Sequence, residues 1–257
     1  MKLATWNVNS LKVRLPQVID WVVSNEPDIL CLQETKLQDE SFPVDEILAA
    51  GYCSAYVGQK TYNGVALLSK QAGDRIVTAL PGFEDVQKRI IAATYEEDVR
   101  VACVYVPNGE KVTSEKFHYK LAWLAALEDW LREELLNYPK LALLGDFNIA
   151  PEDQDVRDPD AWRGQVLCSQ PERDAFQRLL GLGLVDSFRL FDQPEKTYTW
   201  WDYRMMAFRR NRGLRIDHVL LSHELAHICS ACTVDKAIRK HERPSDHAPV
   251  VTELSVQ

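Results

Sequence analysis

Short, continuously apolar segments recur along the chain and alternate with segments of helical periodicity. Segments 28–33 and 140–145, for example, are dominated by Ile, Leu and Ala rather than by alternating apolar and polar residues. Because successive side chains of a strand point to opposite faces, an uninterrupted apolar strand must be covered on both faces. The pattern therefore predicts a layered α/β protein whose sheets are buried between other layers.

The apolar runs and helical periods also place the individual elements. They predict strands over 2–6, 28–33, 64–69, 90–95, 99–106, 140–145, 197–201, 215–222 and 247–254. They predict helices over 11–25, 43–50, 114–137 and 171–181, the last one marked by Ser169 and Glu172 in capping-box spacing. No linker rich in Pro, Gly or Ser divides the chain, so residues 1–257 are predicted to form a single domain.

The chain lacks the sequence signals of export and membrane insertion. No apolar run approaches the ~20 residues that span a bilayer, and the first residues do not resemble a signal peptide. The six cysteines are expected to be reduced and mostly buried. His223, His227, Cys229 and Cys232 mimic a zinc spacing, but one compact cluster lacks the second half of a usual finger. These observations predict a cytoplasmic protein without a membrane partner.

The net charge of −8 argues against a protein that coats nucleic acid nonspecifically, but the charge is unevenly placed. Acidic residues cluster within 26–46 and 152–160, and basic residues cluster within 204–215 and 236–243. An acidic pocket beside a basic rim is what a metal site acting on a polyanion needs. The alternative interpretation is a solvated charged face.

Polar side chains follow several of the apolar strand segments directly. They are Asn7, Glu34, Asp146 with Asn148, and Asp246 with His247, while Asp217 lies inside a fifth apolar strand. Burial of a carboxylate is costly unless the group is paired, hydrogen-bonded or bound to a metal. Hard oxygen ligands without a Cys/His cluster indicate Mg²⁺ or Mn²⁺ rather than zinc. Each residue alone also has a structural explanation, as a helix cap, a turn residue or a core histidine, but the recurrence favours a functional site.

Six segments carry a resemblance to a known family. They are Thr5–Ser10, Leu32–Lys36, Tyr105–Gly109, Gly145–Pro151, Asn211–Asp217 and Ser245–Pro249. In this order, and over nearly the whole chain, they resemble exonuclease III, the bacterial branch of the endonuclease/exonuclease/phosphatase superfamily. The Asn, Glu, Asp-x-Asn and Asp-His marks are superfamily-wide, whereas Tyr198–Arg204 followed by Asn211–Asp217 is more specific to the exonuclease III and abasic-site endonuclease branch.

The resemblance implies a DNase I-like fold, a four-layer α/β sandwich with two packed mixed β-sheets flanked by helices. It implies a monomeric enzyme in which Mg²⁺, with Mn²⁺ as a substitute, assists the attack of water on a DNA phosphate. The expected partner is double-stranded DNA with abasic sites or blocked 3′ ends. The expected activities are 3′-to-5′ exonuclease, abasic-site incision and removal of blocking groups, including phosphate, from 3′ ends.

The resemblance also assigns roles to the acidic and amide residues. Glu34 matches the principal metal ligand of the family, supported by Asn7 and Asp246. Asp146 matches the residue that orients or deprotonates the attacking water, and Asn148 the residue that holds this water or the phosphate.

The remaining matches concern the phosphate and the sugar. Asp217 would orient His247, which would bind the scissile phosphate, and Tyr105 with Asn108 would contact the phosphate or help the leaving oxygen. At Asn108 the sequence departs from the branch, which often has Gln at this position. The pocket for an abasic sugar would be formed by Trp200, Leu214 and Ile216.

The residue types fit this chemistry without the family. Cleavage of a phosphate ester needs an activated water, neutralised charge on the nonbridging oxygens and help for the leaving oxygen. A carboxylate base, a metal with His and Asn, and a metal or Tyr supply these three needs. Two alternatives stay open: a related superfamily phosphodiesterase or phosphatase acting on non-DNA phosphoesters, and a DNA-binding module that has lost catalysis.

Several residues near these motifs have two interpretations. Lys116, Tyr119 and Lys120 either contact backbone phosphates or form an exposed helix face. Trp201 either packs in the core or contacts DNA. Leu167 is hypothesised to face the DNA and to influence the balance among the activities.

Overall fold

Two six-stranded sheets pack against each other at the centre of the protein. A computed structural model describes residues 1–255, except for the side chain of residue 97. The first sheet contains β1 (Lys2–Asn7), β2 (Ile29–Gln33), β3 (Cys53–Val57), β4 (Val65–Ser69), β11 (Cys229–Val234) and β12 (Val250–Leu254). The second contains β5 (Asp74–Val77), β6 (Ile90–Tyr95), β7 (Val99–Tyr105), β8 (Leu141–Asp146), β9 (Leu184–Asp186) and β10 (Asp217–Ser222).

The strand orders are β11-β12-β1-β2-β4-β3 and β5-β6-β7-β8-β10-β9. In each sheet one central pair is parallel, β1 with β2 and β7 with β8, while the other paired strands are antiparallel. Both sheets are therefore mixed, as the resemblance implied.

The continuous apolar strands each serve two cores. In β8, Ala142 and Leu144 face the other sheet, whereas Leu141 and Leu143 face the helices outside it. In β2, Cys31 likewise points between the sheets, and its apolar neighbours point to the outer layer. A strand with a core on each side needs apolar residues at every position. The prediction of sheets covered on both faces, and the four-layer sandwich, are confirmed.

Helices form the two outer layers. The α-helices of the described residues are α1 (Leu11–Asn25), α2 (Val44–Ala49), α3 (Glu115–Asn137), α4 (Pro159–Trp162), α5 (Gln170–Gly181) and α6 (His223–His227), of which α6 packs against the core between the sheets. The first two pack on the first sheet, and α3 and α5 pack on the second. The capping box of Ser169 and Glu172 begins α5 as predicted. Within residues 1–255, no helix is long and apolar enough to cross a membrane.

The strand directions bring the polar strand ends of both sheets together. Because β1 and β2 are parallel, Asn7 and Glu34 lie at the same end of the first sheet. Asp146 ends β8 and pairs with Asp217, the first residue of the antiparallel β10. Since β12 is antiparallel to β1, the segment 245–249 that leads into it lies at this end too.

The prediction of a strand over 197–201 is wrong. Trp200 forms only isolated bridges, to Leu214 and to His247. Leu214 precedes β10 in the second sheet, and His247 precedes β12 in the first. The backbone of Trp200 therefore bridges to segments that lead into two different sheets. A segment divided in this way joins neither ladder.

Four strands escaped prediction, and all four are edge strands: β3, β5, β9 and β11. β5 is largely exposed, β3 and β11 are only partly buried, and β9 has three residues. Edge strands are often short and polar because they meet solvent on one side. They therefore lack the apolar run on which the sequence prediction depended.

Candidate active site

Asn7 joins the two sheets at the centre of the polar end. Its Nδ2 donates to Glu34 Oε1 at 2.9 Å and to Asp146 Oδ2 at 2.8 Å. Asn7 belongs to the first sheet and Asp146 to the second, and both side chains are buried. One amide thus holds together two carboxylates that are 112 residues apart in the sequence, at positions 34 and 146.

Glu34, Asp146 and His247 bring their potential ligand atoms close together at this end of the sheets. Each offers one ligand atom, and these three atoms lie within 4.8 Å of one another. Carboxylate oxygens are the ligands that Mg²⁺ and Mn²⁺ prefer. Asn7 presents Nδ2 to the carboxylates, so ligation through its oxygen requires the opposite amide orientation. The donor set fits a hard divalent cation.

His247 is paired with a carboxylate through one ring nitrogen and faces the site with the other. Nδ1 lies 2.9 Å from Asp217 Oδ2, and Nε2 lies 3.8 Å from Asp146 Oδ2. Burial lowers the pKa of His247, but the carboxylates of Asp217 and Asp146 outweigh burial and raise the pKa to about 10. The imidazolium form is therefore favoured at neutral pH, and it suits contact with an anionic phosphate better than ligation of a cation.

Asp146 has the properties of a base that works near neutral pH. Burial raises the pKa of its carboxyl to about 7, against the opposing effect of His247 and with a further contribution from Asp217. Its Oδ1 accepts the backbone N–H of Asn148 at 2.9 Å. A carboxylate with a pKa near the working pH is well matched to general acid–base catalysis.

Asn148 lies directly against this carboxylate. Its backbone is left-handed, with φ +50°, and its Nδ2 donates to the carbonyl of Val106 at 2.9 Å. Asn108 is exposed, and its Nδ2 donates to Asn148 Oδ1 at 3.2 Å. The structure therefore places both predicted amides on one side of Asp146.

Tyr105 pairs with Asp146 across the parallel strands β7 and β8. Burial raises the pKa of its phenol well above the usual value, and the charges of Glu34 and Asp146 raise it further. The guanidinium carbon of Arg89 stands 4.7 Å from the centre of the ring. The phenol is thus kept protonated and can donate a hydrogen bond to an anionic oxygen.

Asp246 lies beside the acidic group and is held by two donors. Asn9 Nδ2 donates to Oδ1 at 2.9 Å, and Trp200 Nε1 donates to Oδ2 at 3.0 Å. Burial raises the pKa of Asp246, but His247 and these two donors outweigh burial, and the pKa lies below its ordinary value. Asp246 therefore adds a fixed negative charge at the edge of the candidate cation site.

The predicted sugar-pocket residues belong to one small apolar cluster. Leu214 and Ile216 are 2% and 1% exposed, whereas Trp200 is only partly buried. Leu167, which is 4% exposed and has φ +75°, packs in the same cluster. Trp162 meets Trp200 edge to face, with ring centroids 6.5 Å apart. Trp200 is thus the member of the predicted trio that offers an accessible face.

Two polar residues of the site were missed, although they stand in the segments that carried the resemblance. Asn9 supports Asp246, and its Oδ1 accepts from Lys36 Nζ at 2.6 Å. Lys36 Nζ also lies 2.9 Å from Glu34 Oε2. The spacing of two residues from Asn7 to Asn9, and from Glu34 to Lys36, was a signal that could have identified both.

Several alternatives at neighbouring positions are decided by burial. Lys120 is fully buried, so it neither reaches backbone phosphates nor lies on an exposed helix face. Trp201 has no exposed surface and packs in the core beneath the first sheet. Arg215 and Arg239 are also buried, which removes them from the proposed basic rim.

Two stacked mixed sheets with an oxygen-rich, histidine-containing site at their shared end define the class of DNase I-like sandwich hydrolases. A profile of the Endonuclease/Exonuclease/phosphatase family matches residues 4–247. The chain belongs to this family and, within it, to the exonuclease III and AP endonuclease branch.

Relatives from three organisms support this placement. The chain is 40% identical over 266 residues to exodeoxyribonuclease III of Haemophilus influenzae, covering 99% of this chain and 100% of that protein. It is similar to a variant of the 3′ phosphatase NExo from Neisseria bound to a product DNA hairpin, with a TM-score of 0.98, 49% identity and 100% of both chains covered. It is also similar to an AP endonuclease from Archaeoglobus fulgidus, with a TM-score of 0.95, 37% identity and 100% of both chains covered.

Proposed function

We propose that this protein is a Mg²⁺-dependent DNA repair nuclease that incises abasic sites, degrades duplex DNA from 3′ ends and removes blocking groups from them. The observation that carries the proposal is the convergence of Glu34, Asp146 and His247 from two sheets, with their ligand atoms within 4.8 Å of one another. This arrangement supplies a base, a cation site and a positively charged phosphate contact in one place.

Asp146 and Asn148 act on the attacking water. Asp146 accepts the proton of the water, because its pKa of about 7 allows both the ionised and the protonated form near neutral pH. Asn148 is fixed beside it by the hydrogen bond from its own backbone N–H to Asp146. Positioning of this kind converts part of the binding energy into rate.

His247 and Tyr105 act on the phosphate. The imidazolium, oriented by Asp217 at 2.9 Å, donates from Nε2 to a nonbridging oxygen. The protonated phenol of Tyr105 donates to a phosphate or leaving oxygen, with Asn108 contributing an amide from the exposed side. Donors aimed at developing negative charge are a major source of rate acceleration.

Glu34 is the principal residue that would hold the metal ion, with Asn7 and Asp246 in support. When bound, Mg²⁺ supplies charge neutralisation and Lewis acidity at the phosphate, and Mn²⁺ substitutes for it. Lys36 balances the charge of Glu34 at 2.9 Å and hydrogen-bonds Asn9, so it limits the movement of the carboxylate.

The relatives support the range of substrates. They comprise an exodeoxyribonuclease III, a 3′ phosphatase bound to DNA and an AP endonuclease. A sugar that lacks its base fits against the accessible face of Trp200, above the buried wall of Leu214 and Ile216. All proposed site residues come from one chain, so a monomer acting on double-stranded DNA suffices.

The test uses one duplex with a labelled abasic site and one with a 3′ phosphate. We expect the wild-type protein to cleave both with Mg²⁺ and neither with EDTA. Asp146→Asn keeps the size of the side chain but removes the base, so the rate should fall by roughly 10³-fold or more. If wild type and Asp146→Asn react equally poorly with Mg²⁺, the protein is a DNA-binding module rather than a nuclease.

A further inference from the structure

Lys120 and Glu172 form an ion pair enclosed behind the candidate active site. Lys120 Nζ lies 2.5 Å from Glu172 Oε1, and neither side chain has exposed surface. Lys120 belongs to α3 and Glu172 to α5, which carry none of the proposed catalytic residues. Buried ion pairs are a weak source of stability, because removing two charges from water offsets their attraction. Stability alone therefore does not account for this pair.

Lys120 holds two loops of the site by their backbones. Nζ donates to the carbonyl of Asn148 at 2.7 Å and to the carbonyl of Asn108 at 3.1 Å. Asn148 has a left-handed backbone, a conformation that asparagine adopts more readily than most residues other than glycine. The ammonium has three donors, and the two carbonyls and Glu172 use all of them.

Glu172 holds a third loop, the one that walls the sugar pocket. Its Oε1 accepts the backbone N–H of Leu167 at 2.9 Å, and its Oε2 accepts the backbone N–H of Ser169 at 3.1 Å. Leu167 also has a positive φ and packs in the apolar cluster of the pocket. Glu172 therefore does more than complete the capping box of α5.

We propose that Lys120 and Glu172 are positioning residues that set the distance between the water-activating loop at Asn148 and the pocket wall at Leu167. The pair connects these loops through one carboxylate oxygen, since Glu172 Oε1 accepts from both Lys120 and Leu167. It acts alongside the backbone hydrogen bond from Ala150 N–H to the carbonyl of Leu167 at 2.8 Å. A substrate held by the pocket is then presented to Asp146 and Asn148 at a fixed distance. This inference rests on the proposed function.

The test removes both charges together, in the double variant Lys120→Met with Glu172→Gln. A single substitution would leave one buried charge unpaired and destabilise the fold. The kcat and KM are measured on the abasic duplex with Mg²⁺. Rates are divided by the folded fraction, measured by circular dichroism at the assay temperature, so that lost stability is not counted as lost catalysis. We expect kcat to fall about 10- to 100-fold, as for a misplacement of about 1 Å, and KM to change far less.

A second ion pair, with one member on the same helix, provides a control. Arg100, which is buried on β7, and Glu134, which is half-buried on α3, form an ion pair with Arg100 Nε 2.7 Å from Glu134 Oε2, and this pair connects α3 to the second sheet away from the site. The double variant Arg100→Met with Glu134→Gln should leave the kcat per folded molecule unchanged. The single variant Lys120→Arg, which retains the charge and the donors, should have most of the wild-type kcat that the double variant at Lys120 and Glu172 loses.

Equal kcat values for the two double variants, per folded molecule, would overturn the positioning role. A wild-type protein that cleaves neither duplex with Mg²⁺ would instead overturn the proposed function, and the control variant would then be inactive as well. The two failures are therefore distinguishable in one experiment.

Discussion

Asp146 and Asp217 are direct partners across β8 and β10, yet their surroundings give them different chemistry. The carboxylate of Asp217 is hydrogen-bonded to Nδ1 of His247, so it pairs with the imidazolium. Asp146 is buried, and the pKa of its carboxyl rises to about 7. Different environments often move the pKa values of two neighbouring carboxyl groups apart, so that one acts as the base and the other supplies a supporting negative charge.

Replacing Asp217 tests this separation. Asp217→Asn removes the charge that keeps His247 protonated and oriented, so we expect kcat on the abasic duplex to fall by about 10²-fold or more, with a smaller change in KM. Steady-state kinetics on both duplexes measure the effect, with the exposed Asp192→Asn as the control variant. A kcat within twofold of wild type would mean that Asp217 does not act through His247.

A second buried histidine, His218, should contribute to the pH dependence of the protein's stability. Burial, together with the charge of Arg215, holds the pKa of His218 well below its ordinary value. Its contribution to stability is thus complete above the unfolded-state pKa of about 6.5 and is lost as the pH falls below it. We expect the free energy of unfolding, measured with urea, to fall less between about pH 7 and about pH 5 for His218→Asn than for wild type. Parallel pH profiles for the two proteins would contradict this.

At the scale of elements, burial decided what could be predicted from the sequence. Central strands such as β8 were recognisable because both of their faces meet a core. Edge strands such as β5 were not, because their side chains meet solvent. The polar strand ends were visible as motifs, but the enclosed position of Lys120 depends on α5 packing against α3, an arrangement that no local pattern encodes.

Leu167 combines a positive φ with a place in the apolar pocket cluster, and we expect it to influence specificity. Leu167→Gly should relieve the backbone strain of the positive φ, whereas Leu167→Ala should retain that strain. Both variants remove the Leu167 side chain from the pocket cluster. We expect both variants to shift the ratio of abasic incision to 3′-phosphate removal by about tenfold. Leu167→Gly should also be more stable than Leu167→Ala by about 1 kcal/mol in denaturant unfolding. An unchanged ratio in both variants would remove Leu167 from the determinants of specificity.

At the scale of the whole molecule, a chain with a net charge of −8 has to approach a polyanion. The exposed basic residues of the 204–212 loop face solvent, namely Arg204, Arg209, Arg210 and Arg212. A local basic surface can attract DNA despite a negative total charge, because salt screens charges more than about 10 Å apart.

The salt dependence of DNA binding tests this distribution of charge. Arg209→Gln with Arg210→Gln should weaken duplex binding and reduce the slope of log affinity against log salt concentration by about 0.9 for each phosphate that the variant no longer neutralises. Fluorescence anisotropy over a range of salt concentrations measures the slope. Arg75→Gln, on the edge strand β5, should keep the wild-type slope, and equal slopes for all three proteins would place the DNA elsewhere.

The proposed mechanism depends on Glu34 holding the metal ion and on Asp146 acting on the water, and a Mg²⁺ titration of the single-turnover rate on the abasic duplex separates these two roles. We expect Glu34→Gln to need at least about tenfold more Mg²⁺ for its half-maximal rate. Asp146→Asn should have a greatly lowered rate at every Mg²⁺ concentration, including saturation. The control variant Glu40→Gln, at an exposed position, should match wild type in both its Mg²⁺ dependence and its maximal rate. If Glu34→Gln has the wild-type Mg²⁺ dependence, Glu34 does not hold the metal ion and the proposed mechanism is wrong.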